Sequence, residues 1–108
     1  MRELLSALLL ATWATSVQAE GEVRGTVVYD HACARRIVVQ TPRGYVVGQL
    51  RNDQDLAENG ETLSGNFNKF GLEEVYSVNR DGTERLFIEG FGLSRSGTAQ
   101  LLKKKCPR

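Results

Sequence analysis

The segment RRIVVQTPRGYVVGQL, residues 35–50, carries the strongest structural signal in the chain. Two runs rich in β-branched residues flank the tetrapeptide Thr41-Pro42-Arg43-Gly44. Proline at the second turn position and glycine at the fourth are typical of a type I turn. The segment therefore predicts a β-hairpin, and it indicates a mainly β chain.

The segments around this hairpin alternate apolar and polar residues, which is the pattern of half-buried strands. In EVRGTVVYD, residues 22–30, one face is expected to carry Val23, Gly25, Val27 and Tyr29. In ETLSGNF, residues 61–67, one face is expected to carry Leu63, Gly65 and Phe67. Further extended segments are predicted at residues 72–78 and 84–94.

Glycines interrupt several of these predicted strands. A glycine inside a strand weakens it unless it allows a bend, a bulge or a close approach of two backbones. The glycines in question are Gly25, Gly48, Gly65, Gly90 and Gly92. Their number in so short a chain favours strongly coiled strands that close into a small barrel.

The order of the elements resembles an OB-type barrel, since three strands are followed by a connection at residues 51–60 and then by further strands. One helical turn is predicted in this connection, near Asp55 to Glu58. The pattern L…NGETLSGNF…G, residues 56–71, is similar in rhythm to the loop-into-strand segment of such barrels. The resemblance is to small secreted bacterial OB-type proteins of unassigned function. It implies a closed or partly open barrel of about five to six strands, with a different barrel or a β-sandwich as alternatives.

The segment SGTAQLLKKKC, residues 96–106, differs in composition from the predicted strands before it and predicts a short C-terminal helix. Helix formers dominate it, and Pro107 prevents its continuation. Ser96 or Thr98 is the expected N-cap, and Ser94 is interpreted as a turn or cap residue. Helical spacing places Ala99, Leu102 and Cys106 on one face, which is expected to be buried and to turn Cys106 inward.

The cysteines Cys33 and Cys106 are predicted to form one disulfide bond, because an even number of cysteines in an exported chain indicates pairing. A bond across 73 residues stabilises a fold by at most about 4 kcal/mol in the chain-entropy model. The alternative is a redox-active pair. No C-x-x-C motif supports that alternative.

The N-terminus predicts export. An arginine, an apolar block at residues 4–11 and small residues at Val17 and Ala19 match a signal peptide over residues 1–19. The apolar block is too short to span a bilayer, although an uncleaved anchor is an alternative. The mature protein is therefore expected to be one disulfide-linked domain, residues 20–108. It is expected to be periplasmic or secreted and, once cleaved, not integral to a membrane.

The predicted mature domain is nearly neutral, with 13 basic and 12 acidic residues. This balance disfavours a protein that binds nucleic acid through its overall charge. The disulfide would nevertheless gather a basic cluster that is a candidate site for an anionic partner: Arg35, Arg36, Lys103, Lys104, Lys105 and Arg108. The alternative interpretation is that the lysines only complement the dipole of the helix.

The sequence predicts no catalytic site, no metal site and no cofactor, because each candidate motif is incomplete. His31 is the single histidine, and its neighbour Asp30 implies no catalytic dyad, because neighbours on an extended chain are expected to point to opposite faces. GLSRSG, residues 92–97, has serine where a nucleophile elbow needs its second glycine. DQDLAENGE, residues 53–61, lacks the glycine and a ligand of a calcium loop. In GFG, residues 90–92, the basic and aromatic neighbours of an RNA-binding motif are absent.

Two classes of function follow. The first is a non-catalytic binding module of the cell envelope that presents its basic cluster, or the loop at residues 51–61, to an envelope protein or an anionic surface. The alternative is an OB-type binder of an oligomeric anionic ligand, a glycan rather than a nucleic acid, laid across the barrel face. Exposed tyrosines among Tyr29, Tyr45 and Tyr76 would favour the alternative.

Overall fold

The computed structural model describes residues 22–51 and 57–107. The predicted signal peptide, most of the predicted helical turn near Asp55 and the basic residue Arg108 lie outside these ranges. The elements are β1 (Val23–Ala32), a 3-10 turn (Cys33–Arg35), β2 (Arg36–Thr41), β3 (Gly44–Leu50), β4 (Thr62–Gly65), β5 (Gly71–Ser77), β6 (Gly82–Leu93) and α1 (Arg95–Lys105).

The strands form one closed antiparallel barrel in the order β1-β2-β3-β6-β5-β4. β4 returns to pair with β1, so the first four strands have the Greek-key order 4-1-2-3. The prediction of a small, mainly β barrel with a short C-terminal helix is confirmed. The sandwich alternative is wrong, because a single sheet closes on itself.

The hairpin of β2 and β3 is buried on both of its faces. Its turn is the predicted one, with Thr41 paired to Gly44 and the Thr41 hydroxyl accepting from the Arg43 N–H at 3.1 Å. Val39 and Val46 point into the barrel core. Val38 and Val47 are paired and buried as well, at 4% and 0% exposure, but they lie outside that core. A second packing partner must therefore cover the outer face of the hairpin.

Glycines make room for neighbouring side chains inside the barrel. A Cβ atom on Gly48 would lie 2.7 Å from Leu86 Cγ, and one on Gly65 would lie 2.8 Å from Val75 Cγ1. Both distances are shorter than atoms tolerate, so another side chain occupies the space that theirs would need. At these two glycines a neighbouring side chain, and not a second backbone, makes the closest approach.

The prediction that Tyr29 shares a face with Val27 is wrong. Val27 pairs with Val39 and Tyr29 pairs with Val38, so β1 contains an extra residue at Val28. Such a bulge reverses the alternation of faces beyond it. Tyr29 is consequently 46% exposed on the outside of the barrel.

Helix α1 covers the outer face of the hairpin and of β6. Its N-cap is Ser94, not Ser96 or Thr98, because the Ser94 hydroxyl accepts from the Gly97 N–H at 2.9 Å. Leu101 packs where a side chain on Gly90 would otherwise lie, since a Cβ there would be 2.7 Å from Leu101 Cδ2. Thr98 is buried and Ala99 is exposed, so the predicted burial of Ala99 is wrong.

The predicted disulfide between Cys33 and Cys106 is present, with a Cα–Cα distance of 5.7 Å. It ties the end of α1 to the 3-10 turn between β1 and β2. Ala34 and Arg35 of this turn have left-handed backbone angles, with φ of 53° and 63°. The Gln49 amide donates to the Ala34 carbonyl at 2.9 Å and helps to hold the turn.

Candidate functional site

An open groove runs between α1 and the outer face of β1. It consists of two adjoining cavities of about 420 and 540 Å³, which share Tyr29, Ala99 and Leu102. The first cavity also contacts Val28, Val38 and Tyr45. The second extends past His31 to the disulfide at Cys33 and Cys106. We call this feature the α1–β1 groove.

The walls of the α1–β1 groove are mainly apolar. Val28 and Tyr29 are 40% and 46% exposed, although both have large apolar side chains. The bulge in β1 brings Tyr29 to the outside, and the helix supplies Ala99 and Leu102 opposite it. The groove therefore offers apolar surface that a partner could cover.

Each of the two cavities of the groove is lined by one cationic side chain. Arg95 lines the first cavity and Lys103 lines the second. None of the described residues that line either cavity is acidic. An apolar ligand that carries negative charge therefore complements this surface better than a neutral or basic one.

A nearly buried ion pair supports the disulfide end of the groove. The Arg36 guanidinium donates to both carboxylate oxygens of Glu89, at 2.8 and 3.0 Å, and the two side chains are only 12% and 7% exposed. The hydrogen bond to Glu89 raises the pKa of Arg36, against the smaller lowering effect of burial. Arg36 Nη1 also lies 3.3 Å from Cys33 Sγ.

In the structure, the basic residues that the sequence predicts as one cluster have two different environments. Arg36 is engaged by Glu89, and Lys105 Nζ lies 3.9 Å from the same carboxylate. The side chains of Arg35, Lys103 and Lys104 lie at exposed positions. The cluster is therefore partly a structural ion-pair network and partly an exposed cationic rim. Whether this rim binds an anionic partner stays a prediction.

A smaller cavity of about 360 Å³ lies on the other side of α1. Phe70, which is 67% exposed, contacts Phe91 there with ring centroids 4.8 Å apart. Gln100 and Lys104 of α1 border the same cavity. The helix thus separates two surfaces of different character, which makes paired tests on its two sides possible.

Other polar groups form local contacts. The His31 ring contacts the Asp30 carboxylate, which also accepts from the Asn59 N–H at 2.9 Å, so the expectation that these two neighbours point to opposite faces is wrong. The pairing of β1 is irregular between Tyr29 and Ala32, and the regular alternation of an extended strand does not hold there. The Tyr76 hydroxyl donates to Asp81, and this hydrogen bond raises the pKa of Tyr76. Within residues 22–51 and 57–107, no group of three or more metal-ligating side chains comes together. The helix in that part of the chain is not long and apolar enough to cross a membrane.

Sequence reasoning missed both the groove and Glu89. The ion pair joins residues 53 positions apart, and nothing in the local pattern links them. The groove depends on the bulge in β1, which moves Tyr29 outward. One signal was available, because consecutive valines in both strands of the hairpin indicate burial of both faces.

No family model matches the chain, and searches of curated proteins and of solved structures gave no match either. A functional conclusion therefore depends on the geometry of the α1–β1 groove and its surroundings.

Proposed function

We propose that the chain is an exported, non-catalytic binding module whose α1–β1 groove receives an extended, acidic segment of another protein. The observation that carries the proposal is the groove itself, which is mainly apolar and has one cation lining each of its two cavities. Apolar contacts supply binding energy in such a site, and the charges select the partner and its orientation.

The spacing of the cations defines the partner more closely. Arg95 and Lys103 are eight positions apart on α1, which corresponds to about 12 Å along a helix axis. An extended chain advances about 3.3 Å per residue. The partner is therefore expected to carry two acidic residues about four positions apart, with apolar side chains between them that contact Tyr29 and Leu102.

The walls of the groove are held before any partner arrives. One wall belongs to a closed barrel, and the other is a helix fixed by the Cys33–Cys106 bond and by Leu101 on Gly90. A site of this kind loses little conformational freedom on binding, which favours affinity from a small contact area.

The alternative, an oligomeric anionic ligand on the barrel face, receives less support. OB-type barrels bind such ligands on the face that includes strands 2 and 3. Here α1 covers that face, and Val38 and Val47 beneath it are almost fully buried. Tyr29 and Tyr76 are exposed, as the alternative requires, but they belong to β1 and β5, which β4 separates.

The groove can be tested by blocking it from the helix. We expect a random twelve-residue peptide library, selected on the immobilised protein, to yield peptides with acidic residues about four positions apart around apolar ones. Ala99→Glu places a bulky negative charge in the groove without removing buried contacts, since Ala99 is exposed, and this charge repels an acidic peptide. It should weaken binding of a selected peptide at least about tenfold in fluorescence anisotropy.

Gln100→Glu is the matched control. It adds the same side chain at the next position, which borders the cavity on the other side of α1. Its affinity for the peptide should stay within about twofold of the unchanged protein. Selected peptides without acidic residues, or equal weakening by both variants, would refute the groove as the binding site.

Export is tested separately by intact mass. The disulfide suits an oxidising compartment outside the cytoplasm. We expect the protein recovered from an exporting host to begin at Glu20 and to lack the two thiol hydrogens of the reduced chain. Retention of Met1 together with two free thiols that react with a blocking reagent would contradict export.

A further inference from the structure

We propose that the Cys33–Cys106 bond is a site of thiol–disulfide exchange, at which the thiolate of an acidic molecule attacks Cys106 and Cys33 is the leaving group. The proposal uses the disulfide end of the groove and does not require that a peptide binds along the rest of it. The proposal rests on three observations. The disulfide is accessible from the groove, its two sulfurs have different surroundings, and the cavity beside it is lined by a cation and by no acidic residue of the described chain.

The bond is accessible from the groove. Both cysteines line the cavity of about 540 Å³, together with His31 and Lys103. Cys33 is exposed, and Cys106 is partly exposed at the end of α1. A small thiol can therefore approach without unfolding of the barrel, whose core does not include either cysteine.

The two sulfurs are not equivalent. Arg36 Nη1 lies 3.3 Å from Cys33 Sγ, in position to donate a hydrogen bond to a thiolate there. Glu89 holds the guanidinium in place through two hydrogen bonds, so the donor is already oriented. The sulfur whose thiolate is stabilised is the better leaving group, which directs attack to the other sulfur.

The exchange step balances without any further reagent. The attacking thiolate forms an S–S bond with Cys106 Sγ while the Cys33–Cys106 bond breaks. The electron pair of that bond remains on Cys33 Sγ as a thiolate beside Arg36. The products are a mixed disulfide at Cys106 and a reduced Cys33, and attack by Cys33 on the mixed disulfide reverses the step.

Charge favours an anionic thiol as the partner in this reaction. Lys103 is exposed and borders the cavity, and no acidic residue of the described chain lines it. A thiol that carries carboxylates is therefore attracted to the site, and a cationic thiol is repelled. Salt should reduce this difference, because the cations are exposed.

The test measures which sulfur is attacked. The folded, oxidised protein is treated briefly with less than one equivalent of glutathione, quenched with acid and digested with pepsin at low pH, where exchange is slow. Mass spectrometry should show roughly three- to tenfold more glutathione on Cys106 than on Cys33. Equal labelling, an excess on Cys33, or labelling only after unfolding in urea would overturn the proposal.

Two comparisons test separately the role of Arg36 in the choice of sulfur and the role of charge in the choice of thiol. In the double variant Arg36→Met, Glu89→Met, which removes both charges of the pair together, the preference for Cys106 should disappear if Arg36 causes it. At equal thiolate concentration, glutathione should react several-fold faster than cysteamine at low salt, and high salt should bring the two rates together. A preference that survives the double variant, or rates independent of thiol charge, would contradict the assigned roles.

Discussion

Replacement of Phe67 with alanine is expected to lower the free energy of unfolding by about 3–5 kcal/mol. Phe67 is 1% exposed and belongs to the hydrophobic core of the barrel. Its removal leaves a cavity that the closed barrel cannot collapse to fill, because hydrogen-bonded strands fix the wall. Chemical denaturation of the purified variant measures the loss, which would be a large share of the usual ~5–15 kcal/mol of a domain.

Phe70 provides a matched control three positions later. It has the same side chain but is 67% exposed, and its main aromatic contact is with Phe91. Phe70→Ala should cost about 1 kcal/mol or less. If the two variants lost similar stability, the assignment of Phe67 to the core and of Phe70 to the surface would be wrong.

Removal of the disulfide is expected to have an effect of similar size. The double variant Cys33→Ser, Cys106→Ser frees a loop that spans 73 residues, for which the chain-entropy model gives about 4 kcal/mol. The denaturant dependence should also steepen, because the unfolded chain without the bond is less compact. Urea unfolding of the variant and of the native protein under identical conditions gives both quantities.

Removal of the bond should also reduce the local stability of α1, in addition to the stability of the whole domain. Amide hydrogen exchange in α1 is expected to accelerate more than in β3 and β6, because the bond holds the helix end and the barrel core does not contain it. Reduced native protein serves as the control and should behave like the double variant. Unchanged exchange in α1 would show that its packing on Gly90 suffices to hold it.

The barrel was largely predictable because its signals are local. Alternation over residues 61–67 places Leu63, Gly65 and Phe67 inside, and all three are buried. The glycines at close approaches were likewise visible as exceptions within strands. The disulfide followed from the presence of two cysteines in a chain that the sequence predicts to be exported. Each of these inferences needs only nearest neighbours or a simple count.

The remaining features depend on contacts that no local pattern encodes. The bulge at Val28 adds one residue to β1 and thereby moves Tyr29 to the outside, which creates one wall of the groove. Ser94, Ser96 and Thr98 all lie near the start of the helical pattern, and the structure shows that Ser94 is the cap. The partner of Arg36 lies on β6 and could be found only from the closure of the barrel.

The long separation of Cys33 and Cys106 has a consequence for biosynthesis. A ribosome adds about 5–20 residues per second, so Cys33 is made roughly 4–15 s before its partner. Five whole strands, β2 to β6, must be synthesised in that interval. Cys33 is therefore a solitary thiol while the nascent barrel assembles, and any earlier oxidation can join it only to a foreign sulfur. The native bond can close only after all six strands and α1 have been synthesised, so its closure reports that the whole barrel has been made.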